Sequence, residues 1–463
     1  EALLTTGFLG YIIVLVGFNL MWSRPDVIFV TPQQVHISYG NNGDVYVTWS
    51  LKYPAELCTV SLYDGRHFIK ELKGVQTADL SNKFNTNLIY EVRLTDLSPA
   101  RIYEYTVSCS LEGETFYKHY DFKSPPTHED AVTLLILGDW STVSVSNTRD
   151  KYSKVPKPHV LDALKQEQNY SSIWHLGDIA YDLHSDNGRR GDKFLNDIEP
   201  IAAEHPYMVI PGNHEVKNKF EHFRSRFRMP STLKSEAIFY SMRLGKAYII
   251  VINTELSDWN IRKKEEISSY LEKQRRSHFR WLHKELSNAA SLRDQYPWVI
   301  VMGHKPLYCS TNSYSKMIKK VCERQTPGLR EDYEDLFLQF KVDLYLSGHV
   351  HLYERMLPVY NGTLVDFEGN SQVLVNPPTP VYIVNGVAGN IEDASVVFNV
   401  TDTPNEFTVA MSESLGYGKL HIVNTTHLHY EQFGFDLSST EHDNEILPDT
   451  KHVVDDFWII KDI

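Results

Sequence analysis

The chain has 463 residues, of which 42% are hydrophobic and 23% are charged, and its formal net charge is −13. That length indicates two domains, and that composition supports a large buried core and excludes an intrinsically disordered protein. The acidic balance argues against a nucleic-acid-binding surface, for which a basic patch is expected. An anionic substrate must then be attracted by something other than the net charge. Bound metal ions do this, and they also account for part of the excess of carboxylates.

An apolar and uncharged segment opens the chain, from Ala2 to Trp22. Roughly 20 such residues are enough to cross a bilayer, so residues 1–24 are either a secretory signal or an uncleaved membrane anchor. We favour a cleaved signal, which predicts a secreted or lysosomal-type protein. Contact with a membrane is expected only under the anchor alternative.

Four cysteines agree with export, because disulfides form in oxidising compartments. Cys58 and Cys109 lie in one predicted domain, and Cys309 and Cys322 lie close together in the other. Two local disulfides are therefore expected, although the sequence alone does not fix the pairing. Asn-x-Ser/Thr sequons provide candidate glycosylation sites at Asn169, Asn361, Asn399 and Asn424.

The first part of the chain reads as short strands rich in β-branched and aromatic residues. Predicted strands include 35–38, 45–49, 59–63, 90–94 and 103–107, with Asn-Gly, Asp-Gly and Glu-Gly turns nearby. About six or seven strands in this length predict a β-sandwich of the fibronectin type III kind over residues 32–124. It contains no reactive cluster, so we expect a structural or substrate-framing role.

The pattern changes after Ser124-Pro125-Pro126-Thr127, where two prolines predict a linker. Apolar strands then alternate with helical stretches, which is typical of an α/β sheet with helices on its faces. We therefore predict an α/β domain over residues 130–463, including a C-terminal region. Predicted strands lie at 133–137, 207–210, 248–252, 298–301, 344–346, 381–384, 418–423 and 428–430, and predicted helices at about 159–168, 263–289 and 330–340.

Five apolar runs are each followed by residues that bind metals. In chain order these residues are Asp139, Asp178 with Tyr181, Asn213 with His214, His304, and His349 with His351. A single Asp or His at a strand end is more often a cap or turn residue than a ligand. Carboxylates, imidazoles, a phenol and an amide in this order suit two cations better than one. Two ions about 3.5–4 Å apart need a bridging carboxylate, so the pattern predicts a dinuclear centre.

These stretches resemble the five motifs of the calcineurin-like metallophosphoesterases, and more narrowly those of the purple acid phosphatases. The motifs are Gly138-Asp139, Gly177-Asp178 with Tyr181, Gly212-Asn213-His214-Glu215, Val301-Met302-Gly303-His304 and Gly348-His349-Val350-His351. The resemblance covers nearly the whole chain after the apolar opening, and Tyr308-Cys309-Ser310 is similar to the animal long-chain branch. It implies an α/β sandwich of two mixed sheets flanked by helices, preceded by the fibronectin type III-like domain.

The resemblance also implies a ligand set for Fe(III) and a divalent ion, which is zinc, manganese or ferrous iron. The implied ligands are Asp139, Tyr181 and His351 for iron, Asn213, His304 and His349 for the divalent ion, and Asp178 as the bridge. Tyr181 separates this branch from relatives such as the protein phosphatases. Those relatives carry a histidine two residues after the first aspartate, where this chain has Ser141.

The implied activity is hydrolysis of small phosphate monoesters at acidic pH by a metal-activated hydroxide. Asp178 and His214 are the catalytic candidates, and His214 protonates the leaving alkoxide. Lys305 either contacts the substrate or is solvated at the rim. Two alternatives stay open: a phosphodiesterase or nucleotide hydrolase on the same metals, and a degenerate extracellular binding protein. The sequence does not predict the oligomeric state.

Two features depart from the family pattern. Ser141 replaces the second glycine of the first motif, and its side chain is expected to tighten the loop behind Asp139. Residues 306–322 lack the further histidines that some members use on substrate, so acid catalysis is expected to depend mainly on His214.

Overall fold

The structure is a computed structural model that describes residues 30–142, 159–230, 238–258, 265–310, 321–390, 405–435 and 451–462. The apolar opening and the sequon at Asn399 lie outside these residues. Among the helices so described, none has the length and apolar character needed to span a bilayer.

The N-terminal part folds as a sandwich of two four-stranded antiparallel sheets. Its strands are β1 (Gln33–Tyr39), β2 (Val45–Leu51), β3 (Leu57–Asp64), β4 (His67–Lys73), β5 (Val75–Asp79), β6 (Leu88–Leu94), β7 (Ile102–Leu111) and β8 (Glu114–Lys123). The sheet orders are β1-β2-β6-β5 and β4-β3-β7-β8. This arrangement agrees with the four-plus-three strand pattern of immunoglobulin-like sandwiches with one strand added. The all-β class is therefore confirmed, whereas the boundaries 32–124 and 130–463 stay predictions.

The sandwich core follows from alternation along its strands. Tyr103, Tyr105 and Val107 on β7 are buried, and Trp49 on β2 is fully buried against Tyr90, with ring centroids 5.8 Å apart. Cys58 and Cys109 lie directly opposite each other on β3 and β7 and form a disulfide. The expected pairing within this domain is therefore confirmed.

The rest of the described chain contains strands β9 to β25 and helices α1 to α5. The strands are β9 (Val132–Leu137), β10 (Ser172–His175), β11 (Tyr207–Val209), β12 (Tyr240–Leu244), β13 (Ala247–Val251), β14 (Trp298–Met302), β15 (Leu344–Ser347), β16 (Tyr353–Met356), β17 (Val359–Tyr360), β18 (Thr363–Leu364), β19 (Glu368–Gly369), β20 (Val373–Val375), β21 (Val381–Asn385), β22 (Thr408–Ser412), β23 (Gly416–Ile422), β24 (His427–Phe435) and β25 (Lys451–Ile460). The helices are α1 (His159–Gln166), α2 (Arg189–Ala202), α3 (Lys217–Arg226), α4 (Glu265–Ser291) and α5 (Thr326–Gln339).

Two mixed sheets organise this part of the chain. One has the order β11-β10-β9-β23-β24-β25-β20-β19 and the other the order β12-β13-β14-β15-β21-β16-β22. The second sheet is buried on both faces, because alternate residues of β14 enter different cores. Ile300 belongs to the core that includes the first sheet, whereas Val299 packs in a second cluster with Leu282 of α4 and Phe337 of α5. Two packed sheets with helices outside confirm the predicted α/β sandwich.

The strand connections bring the two sets of predicted ligands to one edge. Strands β9, β10 and β11 are parallel neighbours, joined by α1 and α2. Strands β14 and β15 are parallel neighbours in the other sheet, joined through α5. In sheets of this kind, ligands bind beyond the carboxyl ends of the strands.

Helix α2 connects the sandwich to the α/β part of the chain. Glu199 of α2 accepts hydrogen bonds from Tyr120 and pairs with Lys118, both on β8, and it also accepts from the amide of Val35 at 3.3 Å. Glu199 is buried, so this carboxylate is satisfied from the other domain.

Candidate metal centre

The predicted ligands converge from five strand ends. Asp139 follows β9, Asp178 and Tyr181 follow β10, and Asn213 begins a short 3₁₀ turn after β11. From the other sheet, His304 follows β14, and His349 and His351 follow β15. The structure thus places together every residue that the sequence analysis assigned to a metal.

One group consists of Asp139, Tyr181 and His351. The Tyr181 hydroxyl lies 2.8 Å from His351 Nε2 and 3.2 Å from Asp139 Oδ1. His351 Nε2 lies 3.4 Å from the same Asp139 oxygen. Asp139 and Tyr181 are buried, so three donor atoms face one another where solvent has little access.

A second group forms around Asp178 and His304. His304 Nε2 lies 3.1 Å from Asp178 Oδ2 and 3.2 Å from Asn213 Oδ1. Asp178, His304 and His349 each offer a donor atom, and these atoms all lie within 4.8 Å of one another.

Both groups fit a metal ion. Ligands about 2.0–2.2 Å from an ion and at right angles to each other lie roughly 3 Å apart, which matches the donor separations above. Oxygen and imidazole donors suit zinc, manganese and iron. A phenol is present only in the group of Asp139, which favours a harder ion there.

Partners outside the two groups fix the imidazoles. His304 Nδ1 lies 2.8 Å from the Leu176 carbonyl oxygen, which only accepts. The proton of the neutral ring is therefore on Nδ1, and Nε2 is the nitrogen that would bind an ion once its own proton has left. His349 Nε2 lies 3.1 Å from Gln325 Oε1, and Gln325 is the residue directly before α5. Such partners raise ligand basicity and fix ring orientation.

The electrostatics of the site favour positive charge. Burial alone raises the pKa of Asp178, but the charges of His304 and His214 outweigh it and hold the pKa below its ordinary value. Burial opposes protonation of His304, yet the Asp178 carboxylate raises its pKa to about 9. Asp178 is therefore an anion at any working pH, as a bridging ligand must be.

Glu215 organises the loops that carry these ligands. Its buried carboxylate accepts hydrogen bonds from three backbone amides, those of Asp178 at 3.0 Å, Ile179 at 3.0 Å and Gly212 at 2.8 Å. Burial and the charge of Asp178 raise the pKa of Glu215, while the amide donors act in the opposite sense. This carboxylate connects the loops after β10 and β11, so it sets the position of Asp178 relative to Asn213.

The ligand loops adopt backbone conformations that are rare for residues with side chains. Asp139, Asp178 and His349 have φ values of 59°, 54° and 69°. Left-handed conformations in non-glycine residues cluster at functional sites, where the surrounding structure holds them. Gly348 meets a further requirement, because a Cβ there would lie 2.4 Å from Asp139 Oδ2.

His214 lies at the edge of the two groups. Its Nδ1 lies 2.7 Å from Asp182 Oδ1, and its Nε2 lies 3.8 Å from Asp178 Oδ2. The ring packs against Tyr181 with centroids 4.6 Å apart, and 16% of the side chain is exposed. The partly exposed ring therefore sits between the ligands and solvent, with a carboxylate behind it.

Lys305 occupies neither of the two expected positions. It is 2% exposed and pairs with Asp258 and with Glu255, the latter at 2.9 Å. A buried lysine with two carboxylate partners is a structural ion pair, so both predicted roles for Lys305 are wrong. Ser141 joins the local backbone network, its amide donating to the Gly389 carbonyl at 2.9 Å.

Three functional side chains were missed by sequence reasoning, namely Asp182, Glu215 and Gln325. Glu215 was part of a quoted motif without a role, and Asp182 directly follows Tyr181. Their polar character next to ligands was the available signal. The sequence gave no such signal for Gln325, because this residue is distant in sequence from His349 and meets it only in the folded structure.

Comparisons with known proteins agree with this geometry. Residues 132–353 match the family model of calcineurin-like phosphoesterases, and residues 379–444 match that of iron/zinc purple acid phosphatase-like protein C. Acid phosphatase type 7 of Danio rerio is 34% identical over 445 residues, covering 91% of this chain and 92% of that protein. The Homo sapiens protein of the same name is 32% identical, covering 93% and 91%.

A solved structure supports the fold. Purple acid phosphatase PPD1 from yellow lupin seeds has a TM-score of 0.72 and 22% identity, and the match covers 93% of this chain and 75% of that one. This structural match, the relatives above and the phenol among the converging side chains together identify the family of the chain. It belongs to the purple acid phosphatases, a family of calcineurin-like metallophosphoesterases with animal acid phosphatase type 7 proteins among its relatives.

Proposed function

We propose that the protein is an acid phosphatase that hydrolyses small phosphate monoesters at a centre of Fe(III) and a divalent ion. The carrying observation is the Tyr181 hydroxyl, which lies within hydrogen-bonding distance of both Asp139 and His351. Family membership and the iron/zinc description of the matched C-terminal model support the same metals.

The ligand assignment follows the two groups of donors. Asp139, Tyr181 and His351 would hold Fe(III), and Asn213, His304 and His349 would hold zinc, manganese or ferrous iron, with Asp178 shared between them. When bound, the ions neutralise phosphate oxygens and activate water as the nucleophile.

Protonation of the leaving group is the role proposed for a side chain of the protein. His214 is a candidate general acid that transfers a proton from Nε2 to the departing alkoxide, since Nδ1 is held by Asp182. Burial alone raises the pKa of Asp182, but the hydrogen bond and charge of His214 lower it below the ordinary value. Asp182 therefore stays anionic in mild acid and stabilises the protonated ring that acid catalysis requires.

Substrate class is tested with two chromogenic esters. We expect the purified protein to hydrolyse p-nitrophenyl phosphate at acidic pH much faster than bis(p-nitrophenyl) phosphate. A preference for the diester would establish the phosphodiesterase alternative instead. Hydrolysis of neither ester by metal-loaded protein would favour the degenerate binding protein.

The shared role of Asp178 is tested with Asp178→Asn. Loss of the anionic oxygen is expected to abolish both metal loading and turnover, measured by metal analysis and p-nitrophenyl phosphate hydrolysis. Asp186→Asn is the matched control, because Asp186 is exposed on the same loop and pairs only loosely with Arg189 at 3.8 Å. Normal metal content and activity in Asp178→Asn would refute the dinuclear assignment.

We also propose a secreted or lysosomal-type location. Both expected disulfides are present, Cys58–Cys109 and Cys309–Cys322, and the sequon residues Asn169, Asn361 and Asn424 are exposed. Expression in a eukaryotic secretory host should give a protein whose mass falls on peptide N-glycosidase treatment. A mass unchanged by that treatment, with the protein retained in the cytosol, would contradict the proposal.

A further inference from the structure

A second cluster of metal-binding side chains lies on the eight-stranded sheet. His421 on β23 and His429 on β24 are directly opposite each other across antiparallel strands, and Glu431 lies two residues further along β24 on the same face. The imidazole centroids are 5.3 Å apart with the rings tilted by only 21°. One donor atom from each of the three residues lies within 4.8 Å of the others.

His421 is held in place from both of its nitrogens. Nε2 lies 2.9 Å from Glu431 Oε2, and Nδ1 lies 2.9 Å from Thr133 Oγ1. A threonine hydroxyl both donates and accepts, so Thr133 supports either tautomer of the ring. A cation can therefore replace the proton on Nε2, which leaves to solvent, while Nδ1 keeps its hydrogen bond with Thr133 on β9.

His429 is fixed by the neighbouring strand β25. Its Nε2 lies 2.7 Å from Asp456 Oδ1, and its ring stacks on Trp458 with centroids 4.2 Å apart and an interplanar angle of 12°. A carboxylate behind an imidazole is the usual outer partner of a metal-binding histidine. Asp456 is also the residue directly opposite Glu431, which adds a second carboxylate to the cluster.

We propose that His421, His429 and Glu431 bind a divalent cation of the zinc class on this face of the sheet. Two imidazole nitrogens and one carboxylate suit Zn²⁺, Ni²⁺ or Cu²⁺ and are poor ligands for Mg²⁺ or Ca²⁺, which prefer oxygen. Three protein ligands leave a fourth position of a tetrahedral zinc for water.

The proposed site is separate from the metal centre. Thr133, which contacts His421, precedes Asp139 by six positions along β9 and the turn after it. At about 3.3 Å per residue in a strand, this places the two sites roughly 20 Å apart. The side chains of His421, His429 and Glu431 are also 16–26% exposed, so a cation in solvent reaches them directly.

A cation here would link the C-terminal strands. His421 lies on β23 and Glu431 on β24, and Asp456 connects His429 to β25. Because an ion that binds only the folded chain stabilises it by mass action, Zn²⁺ is expected to raise the melting temperature.

The test counts metal in the purified full-length chain after equilibrium dialysis against micromolar Zn²⁺. His421→Ala and His429→Ala are each expected to bind one ion fewer per chain than wild type and to lose the corresponding part of the zinc-dependent rise in melting temperature. Glu431→Gln, which keeps the size of the side chain, should show the same loss. All three variants should hydrolyse p-nitrophenyl phosphate at the wild-type rate.

His427→Ala is the matched control. His427 lies on the same face of β24 and its ring approaches Trp458 at 6.1 Å, but it is not part of the cluster. It should retain the wild-type zinc count. Equal counts in wild type, His429→Ala and Glu431→Gln would overturn the site, and so would an equal loss of zinc from His427→Ala.

Discussion

Tyr181 gives one group of donors a character that carboxylate and imidazole alone would not provide. Its hydroxyl lies 2.8 Å from His351 Nε2, and the residue is 2% exposed. A phenolate is a hard oxygen donor that also transfers charge to Fe(III), which produces a visible absorption band. If Tyr181 binds Fe(III) as proposed, its phenolate would give the protein a visible absorption band.

We expect Tyr181→Phe to remove or strongly shift this band, because the phenolate is its source. The measurement is the visible spectrum of iron-loaded protein. Tyr240→Phe is the control, since Tyr240 is a buried tyrosine whose hydroxyl donates to Val209 at 3.0 Å, away from the proposed ligands. A band that survives in Tyr181→Phe would show that the phenol is not a ligand.

Gly348 tests how closely the ligand loops are fitted to each other. A Cβ at this position would lie 2.4 Å from Asp139 Oδ2, so Gly348→Ala must displace the carboxylate or the loop. We expect metal affinity and kcat/KM to fall by roughly 10–100-fold, the range for changes that disturb ligand positioning.

The control for this prediction is Gly328→Ala. Gly328 lies in α5 with nothing within 4 Å of its added Cβ, so alanine there should leave activity unchanged and stabilise the helix by up to about 1 kcal/mol. If Gly348→Ala were as active as this control, the loop would accommodate a Cβ without displacing Asp139, which would contradict the prediction.

Most of the ligand set was predictable from sequence, and the reason is local. Asp139, His304 and His349 each follow a short apolar run and a glycine, so the strand end and its ligand lie together in the sequence. Glu215 and Gln325 act on backbone or side chains far along the chain. Their roles depend on how the loops meet, which no local pattern records.

Helix α4 contains a buried titratable side chain, His278. His278 is fully buried, and its ring packs against Phe239 and Tyr333 at 5.0 and 6.1 Å. Its Nε2 accepts from the Asn253 amide, whereas its Nδ1 has no hydrogen-bond partner in the part of the chain that the structure describes. Burial, aided by Arg275, lowers the pKa of His278 from 6.5 to about 3.

This depressed pKa predicts a loss of stability in acid. Below pH 6.5 the unfolded chain is protonated at His278, whereas the folded chain stays neutral there until about pH 3. The free energy of unfolding therefore decreases as the pH falls. Between about pH 7.5 and pH 5, this linkage lowers the free energy of unfolding by about 2 kcal/mol.

His278→Gln should reduce the pH dependence of the unfolding free energy by that amount, as measured by urea titration at the two pH values. His283→Gln, an exposed histidine on the same helix, is the control and should follow wild type. Equal pH dependence in His278→Gln and wild type would mean that the buried ring already accepts a proton in the folded state.

Elements with strong apolar patterns were predicted, and elements with mostly exposed side chains were missed. Helix α4 was expected at 263–289 and spans Glu265–Ser291. Strands β4 and β5 were not predicted individually, because most of their side chains face solvent and the alternation of polarity is weak. Helices α2 and α3 were missed too, and α3 has polar residues at most of its positions.

For the molecule as a whole, the two parts of the chain are connected by polar contacts that hold the sandwich beside the ligand-bearing sheet. The Glu199 contacts with β8 are one connection, and Lys52 on the loop after β2 pairs with Asp192 of α2 as another. Arg226 at the end of α3 is fully buried and also pairs with Asp192, at 2.8 Å. Helix α2 also supports the loop after β10, because Arg190 donates a hydrogen bond to the Tyr181 carbonyl.

The Fe(III) assignment is tested by a metal analysis combined with an absorption spectrum of the purified full-length protein. We predict one iron per chain together with a divalent ion, a visible band that disappears in Tyr181→Phe, and acid hydrolysis of p-nitrophenyl phosphate by the coloured protein. An active protein that contains no iron and has no visible band would contradict the assignment of Tyr181, Asp139 and His351 to Fe(III).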